Sequence, residues 1–178
     1  MGLNNKKINR CRPGLGASCA LCCGSYNYRL SREELEDLLI ERGEKGPEIP
    51  LRHPESFSMG RLFSEAMQCP HVGIISGEFN EIGCLIYRDT ERAESVESFF
   101  RGTCSNFYCA AWDTLSDGEV LFAAGLMRDW YYYGLLINDI ETLQELCADY
   151  SDPEDVPGDK LEELKIILLE RLIEEDGR

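Results

Sequence analysis

Apolar residues recur at helical spacing in three stretches of the chain and at strand spacing in one. Leu35, Leu38 and Leu39, extended by Arg42, follow Ser31 and Glu34, which stand three apart as in a capping box; Gly43, Gly46 and Pro47 mark a stop. Cys69–Ser76, with Cys69 standing before the strand, and Gly83–Tyr87 flank a polar turn over 77–81 and predict a β-hairpin. From Ser116 onward Val120, Leu121, Ala124, Met127, Trp130, Tyr131, Leu135 and Leu136 make one long helical pattern. It continues over 139–150 through Leu143, Leu146 and Cys147. Leu161, Leu164, Ile167, Leu168 and Leu172 predict a final amphipathic helix, docked on the core or on another subunit.

The connecting segments are polar. Residues 44–60 carry three prolines and read as a loop, 61–67 as one or two helical turns, and 151–158 as an acidic linker. Glu91, Glu94 and Glu97 on a short helix over 89–103 are a solvated face, with Phe99 and Phe100 at its buried edge. The aromatic run Trp130–Tyr133 is a core edge, with a ligand or partner groove as the lesser reading. The expected fold is a single α+β domain over 1–178. An irregular metal-clamped N-terminal half with a small β-hairpin (1–112) precedes a mostly helical C-terminal half (113–178).

Composition narrows the class. Of 178 residues 43% are hydrophobic and 29% charged, values of a globular chain. Thirty-three acidic against 18 basic side chains leave a formal charge of −15. Such a field repels phosphate backbones and anionic membranes, so neither nucleic acid nor membrane is expected as partner. It suits a metal ion, a basic protein partner or a cationic peptide. Residues 1–12 lack the apolar run of a secretory signal, and a cytoplasmic location is expected.

That compartment changes the meaning of nine cysteines. In reducing surroundings clustered thiols mark metal or redox sites more often than disulfide frames, and an odd count leaves one unpaired in any all-disulfide scheme. Cys19 and Cys22, two residues apart, can reach one ion from a single turn of chain. Cys23 directly after them points to another partner, and Cys11 lies eight positions upstream across Pro13, Gly14 and Gly16. The hairpin would return Cys84 close to Cys69, and Cys104 and Cys109 form a further pair. Disulfides or buried inert thiols are the alternatives. His53 reads as a solvated loop residue, His71 as a hydrogen-bonded structural one, and Cys147 as a small buried apolar residue.

Taken together, Cys19-x2-Cys22-Cys23, Cys69-Pro70, Gly83-Cys84-Leu85-Ile86-Tyr87 and the closing Cys104 and Cys109 resemble the YkgJ-type cysteine-cluster family. Its members are regarded as zinc or iron chelators, and flagellin lysine N-methylases carry a related cluster. The resemblance spans about residues 11–109. Where the family's four-cysteine run begins with cysteine this chain has Gly16, and Cys11 is the candidate substitute. The family's Tyr-x2-Arg-Pro is here Tyr87-Arg88-Asp89-Thr90-Glu91.

The resemblance implies metal binding through Cys11, Cys19, Cys22, Cys23, Cys69, Cys84, Cys104 and Cys109. Thiolates select zinc or iron–sulfur clusters over hard cations, and four close a zinc or four-iron site. Eight sulfurs therefore suit two sites, or one site with supporting thiols. Pro70 after Cys69 leans toward iron–sulfur. Two other classes stay open: an iron–sulfur-dependent redox or methyl-transfer enzyme with a pocket lined by Tyr108, Trp112 and Trp130, and a metal-stabilised interaction module. Phosphate-binding glycine loops, G-x-S-x-G elbows and H-E-x-x-H helices are absent from the sequence.

Overall fold

A computed structural model of the chain describes residues 7–23, 30–45, 72–76, 80–85 and 108–176. Helix α1 (Arg32–Lys45) starts on the expected capping box. The Glu34 N–H donates to Ser31 Oγ at 3.2 Å, and the Ser31 N–H donates to the Glu34 carboxylate at 2.8 Å. Leu35 and Leu39 are fully buried, and Leu38 is half-buried. The helix does not stop at Gly43. That residue is a point of contact, since a Cβ there would fall 2.2 Å from the Ile74 carbonyl oxygen.

Ile74 belongs to the hairpin, formed by β1 (Val72–Ser76) and β2 (Glu81–Cys84). Val72 pairs with Cys84, Gly73 with Gly83 and Ile74 with Ile82, and the register slips between Ile74 and Ser76. Asn80 closes the turn at φ +48°, a conformation asparagine tolerates. Cys84 thus ends the second strand. It shares with Ile82 the strand face that meets the core, because alternate residues point the same way.

The helical half holds α2 (Ala110–Thr114), α3 (Asp117–Met127), α4 (Tyr131–Asn138), α5 (Ile140–Asp149) and α6 (Gly158–Asp176). The long apolar pattern is broken twice. Arg128 adopts φ +51° and caps α3 through its N–H to the Ala124 carbonyl. Asp129 then accepts the Tyr132 N–H at 2.7 Å and starts α4. Asp139 accepts the Thr142 N–H and starts α5. Neither break carries a glycine or proline, so apolar periodicity alone runs through both.

Helix α4 is apolar nearly all round, and it packs against α2, α3, α5 and α6. Trp130, Tyr131 and Tyr133 are core residues, in line with the reading of the aromatic run. The 151–158 segment is no loose linker: its 3-10 turn, Pro153–Asp155, sits on α3 beside Gly125. Helix α6 docks on α4 through Leu164 and Leu168, and Arg171 reaches Asp139 and Thr142 Oγ1.

Among the described residues the fold is therefore mixed, mostly helical with one two-stranded antiparallel sheet. The N-terminal segments do not lack a core, because Ala17, Ala20, Leu35, Leu39, Val72, Ile74 and Ile82 join the helical residues in one apolar cluster. Among the described residues no helix is long and apolar enough to cross a membrane. The elements expected at 46–67 and 89–103, with His53, Cys69, His71 and Cys104, lie outside the described residues.

Gly43→Ala separates packing from propensity. Alanine is favoured over glycine in a helix by about 1 kcal/mol. Overpacking against the Ile74 backbone costs about 1–3 kcal/mol. The urea midpoint of the variant is expected to fall, whereas a rise would mean that α1 and β1 are not in contact.

Candidate metal centre

The segment that carries Cys11 and Cys19 folds back on itself. Gly14, Leu15 and Gly16 adopt successive positive φ angles of 97°, 60° and 76°, and the Ala17 N–H donates to the Gly14 carbonyl at 3.0 Å. The reversal lets the Cys19 N–H donate to the Cys11 carbonyl at 2.9 Å. The 3-10 turn Leu21–Cys23 follows, and in it the Leu21 N–H points at Cys19 Sγ at 3.5 Å. Ser18, fully buried, accepts the Ile82 N–H at 2.8 Å and fastens the turn to the hairpin.

Arg10 fastens the same segment to the helices. Its guanidinium is 2% exposed, donates to Asp117 Oδ1 and the Leu115 carbonyl at 2.7 Å each, and lies 5.3 Å from the Trp112 ring centroid. The Tyr133 hydroxyl donates to the Arg10 carbonyl at 2.7 Å, and Lys7 Nζ donates to the Trp112 carbonyl at 3.1 Å. These bonds draw the loop onto the start of α2, where the Trp112 N–H meets the Cys109 carbonyl.

Cys11 and Cys19 thereby come within electrostatic reach of Cys22 and Cys109. Burial pushes the Cys11 thiol up to about 11, and the charges of Cys22 and Cys109 push the same way. Burial drives Cys19 still further up, against the Leu21 N–H, with Cys11, Cys22 and Cys109 adding to the rise. Cys22, exposed at the surface, goes the other way: hydrogen bonding with the Cys23 thiol holds it down at about 7 against some desolvation. Burial also lifts the Tyr133 hydroxyl, and Cys19, Cys11 and Cys109 lie close enough to add to that lift.

The remaining candidates stand as follows. Cys84 ends β2, two residues beyond the Ile82–Ser18 bond, and is not among the groups that shift Cys11, Cys19 or Cys22. Cys147 is half-buried on α5 against the core. Cys11, Cys19, Cys22, Cys109 and Cys147 carry free thiols. Among the described residues no three Cys, His, Asp or Glu side chains are close enough to hold one ion. What is present is a group of soft donors in mutual electrostatic reach, with one sulfur already served by N–H groups.

Tyr108 and Trp112 flank Cys109 with ring centroids 5.3 Å apart, while Trp130 is 1% exposed and part of the core, not of an open wall. A groove of about 360 Å³ lies elsewhere, between α1, α4 and α6, lined by Arg32, Tyr131, Tyr132 and Leu172 among others.

No protein-family model, curated protein or solved structure matches the chain. The resemblance to the YkgJ-type family thus rests on the quoted motifs.

Arg10, Ser18 and Asn138 escape a reading for metal ligands. None is a sulfur donor, and their partners lie 105, 64 and 119 positions away in sequence. The apolar run around Tyr133 was the one available signal.

The thiol order predicts a labelling order. In reduced, chelator-treated protein, iodoacetamide should modify Cys22 well before Cys11. The Cys22 rate should climb about tenfold per pH unit, as the thiolate fraction does, and level off above about pH 7. Mass spectrometry of peptides at timed quenches reads this out; equal rates for both would contradict the Cys23–Cys22 hydrogen bond.

Proposed function

We propose that this chain is a thiolate metal-binding protein that takes zinc or an iron–sulfur cluster through its clustered cysteines. The candidate set is Cys11, Cys19, Cys22, Cys23, Cys69, Cys84, Cys104 and Cys109, with Cys11, Cys19, Cys22 and Cys109 at its centre. One observation carries the reading: the Cys19 N–H donates to the Cys11 carbonyl, and Lys7 and Arg10 draw this segment onto the start of α2, which carries Cys109.

The chemistry of the donors points the same way. Sulfur selects soft cations over magnesium or calcium. Cys19 Sγ lies 3.5 Å from the Leu21 nitrogen and 3.7 Å from Asn138 Nδ2, two donors that would suit a metal-bound sulfur. The resemblance of the chain's cysteine motifs to the YkgJ-type family points the same way. When bound, the metal would close the loop segments onto the helices, and the chain's own part is to hold the sulfurs and keep their lone pairs aimed.

The first measurement is metal and sulfide content with the visible spectrum of anaerobically purified protein. Iron with sulfide and brown colour fits a cluster; one or two zinc ions in a colourless protein fit the closed site. Cys19→Ala and Cys22→Ala should each lower bound metal and melting temperature together, because binding and folding are linked. With free metal at about 100 times Kd the linked loss is about 2.7 kcal/mol. That is roughly 5–10 °C for a chain of this size. Cys147→Ala should leave metal content unchanged. Full metal content in both Cys19→Ala and Cys22→Ala would remove the reading, and Cys69→Ala reports whether that cysteine belongs to the set.

A further inference from the structure

Helix α6 carries apolar residues on two sides. Leu164 and Leu168 are buried and hold it on α4. Each residue turns a helix by about 100°, so Ile166, two steps from either leucine, faces nearly the opposite way. Ile173 stands one heptad further on, a step that returns to within about 20° of the same direction. Ile166 is 57% and Ile173 54% exposed, and Leu169 between them is half-buried. The core accounts for the first side of the helix and leaves the second uncovered.

The outward stripe runs into the groove of about 360 Å³. Leu169, Leu172 and Ile173 form one wall of it, and Leu30 and Tyr132, from the starts of α1 and α4, form the other. Its walls are helix ends rather than a sheet edge, so an entering chain finds side chains there and no ladder to extend. The spacing of 166, 169 and 173 makes a ridge of the kind that packs against another helix.

Charge decides what kind of helix. The two cations beside Tyr132 are already engaged: Arg32 bonds Asp129 at 3.1 Å and Lys165 bonds Glu162 at 2.7 Å, and each lies 5.5 Å from the Tyr132 ring centroid. Glu163 and Glu170 border the stripe on the side away from the groove, and Glu33 stands on the groove's far rim. All three are exposed, and none forms an ion pair among the described residues. The apolar surface thus lies between two acidic borders, on a chain of formal charge −15. A second copy would set these borders against themselves, whereas a basic helix would pair with them.

We propose that the outward face of α6 and the adjoining groove dock a basic amphipathic helix of a partner protein. Its apolar side chains seat along Ile166, Leu169 and Ile173, and its lysines or arginines meet Glu33, Glu163 and Glu170. The cysteine site takes no part in this contact.

The test uses the full chain as purified and a fluorescein-labelled peptide of about 18 residues, leucine and lysine only, with leucine at helical spacing. Fluorescence anisotropy compares it with a scrambled peptide of the same composition and with a version carrying glutamate for lysine. The patterned peptide should bind about tenfold or more tightly than the scrambled one, and the acidic one should not bind. Ile166→Asp and Ile173→Asp should each weaken the patterned peptide by about tenfold, as should the double variant Glu163→Lys/Glu170→Lys. Raising salt from about 50 to about 300 mM should weaken it further.

Equal binding of patterned and scrambled peptides overturns the proposal, since charge alone would then explain it. Wild-type affinity in both isoleucine variants also overturns it, because the peptide would be held elsewhere. Melting temperatures and light scattering of the isolated chain cover the other occupants. Both isoleucine variants should melt with wild type, and the chain should remain monomeric. A melting temperature several degrees lower would mean that the chain itself covers this face. A wild-type dimer that Ile173→Asp abolishes would mean that a second copy does, and either result overturns the proposal.

Discussion

A buried guanidinium joins the two parts of this molecule. Removing a charge from water costs several kcal/mol unless its hydrogen-bonding capacity is met. Arg10 meets most of it with Asp117, the Leu115 carbonyl and the Ile8 carbonyl on its two terminal nitrogens, while its buried Nε–H has no hydrogen-bond partner among the described residues. Asp117 is itself 43% exposed, so the ion pair sits at the edge of the core with its anion reaching water. This arrangement spares the structure a fully desolvated pair. Trp112 covers the face of the guanidinium, and Tyr133 holds the Arg10 carbonyl from below. Cys11 is the next residue, so whatever fixes Arg10 fixes the first sulfur.

Helix α4 is the other half of the arrangement. It contributes Tyr133 to Arg10, Asn138 to Cys19 and Leu135, Leu136 and Ile137 to the core. A short helix buried on most sides gains its stability from packing rather than propensity. Its position is therefore set by α2, α3, α5 and α6 together, and the sulfur geometry inherits the rigidity of that bundle. The hairpin plays a lesser part, bonded to the turn at Ser18 and seated on α1 at Gly43.

Local chemistry was readable where it is self-contained. The capping box at Ser31 starts a helix where the residue types require it, and the hairpin follows from β-branched runs around a polar turn, although its second strand begins at Glu81, two residues before the expected Gly83. Local signals misled where a side chain acts at a distance. Gly43 looks like a terminator because its conformational freedom is visible, while the strand that needs its missing Cβ is not. Arg128 adopts a left-handed angle that no rule based on residue type assigns to arginine, so two helices read as one. The candidate site divides the same way. The sulfur at Cys19 and its spacing to Cys22 stand out in the string, but the approach of Cys109 depends on Arg10 reaching Leu115, and that pairing is a product of the folded chain.

The reversal between Cys11 and Cys19 has a consequence for which residues its bend accepts. The φ of +76° at Gly16 belongs to a region where an L side chain costs roughly 1–2 kcal/mol. Leu15 beside it already bears that strain. Any side chain at 16 would add a second strained residue in succession, so the turn that lets the Cys19 N–H reach the Cys11 carbonyl tolerates exchange at this glycine poorly.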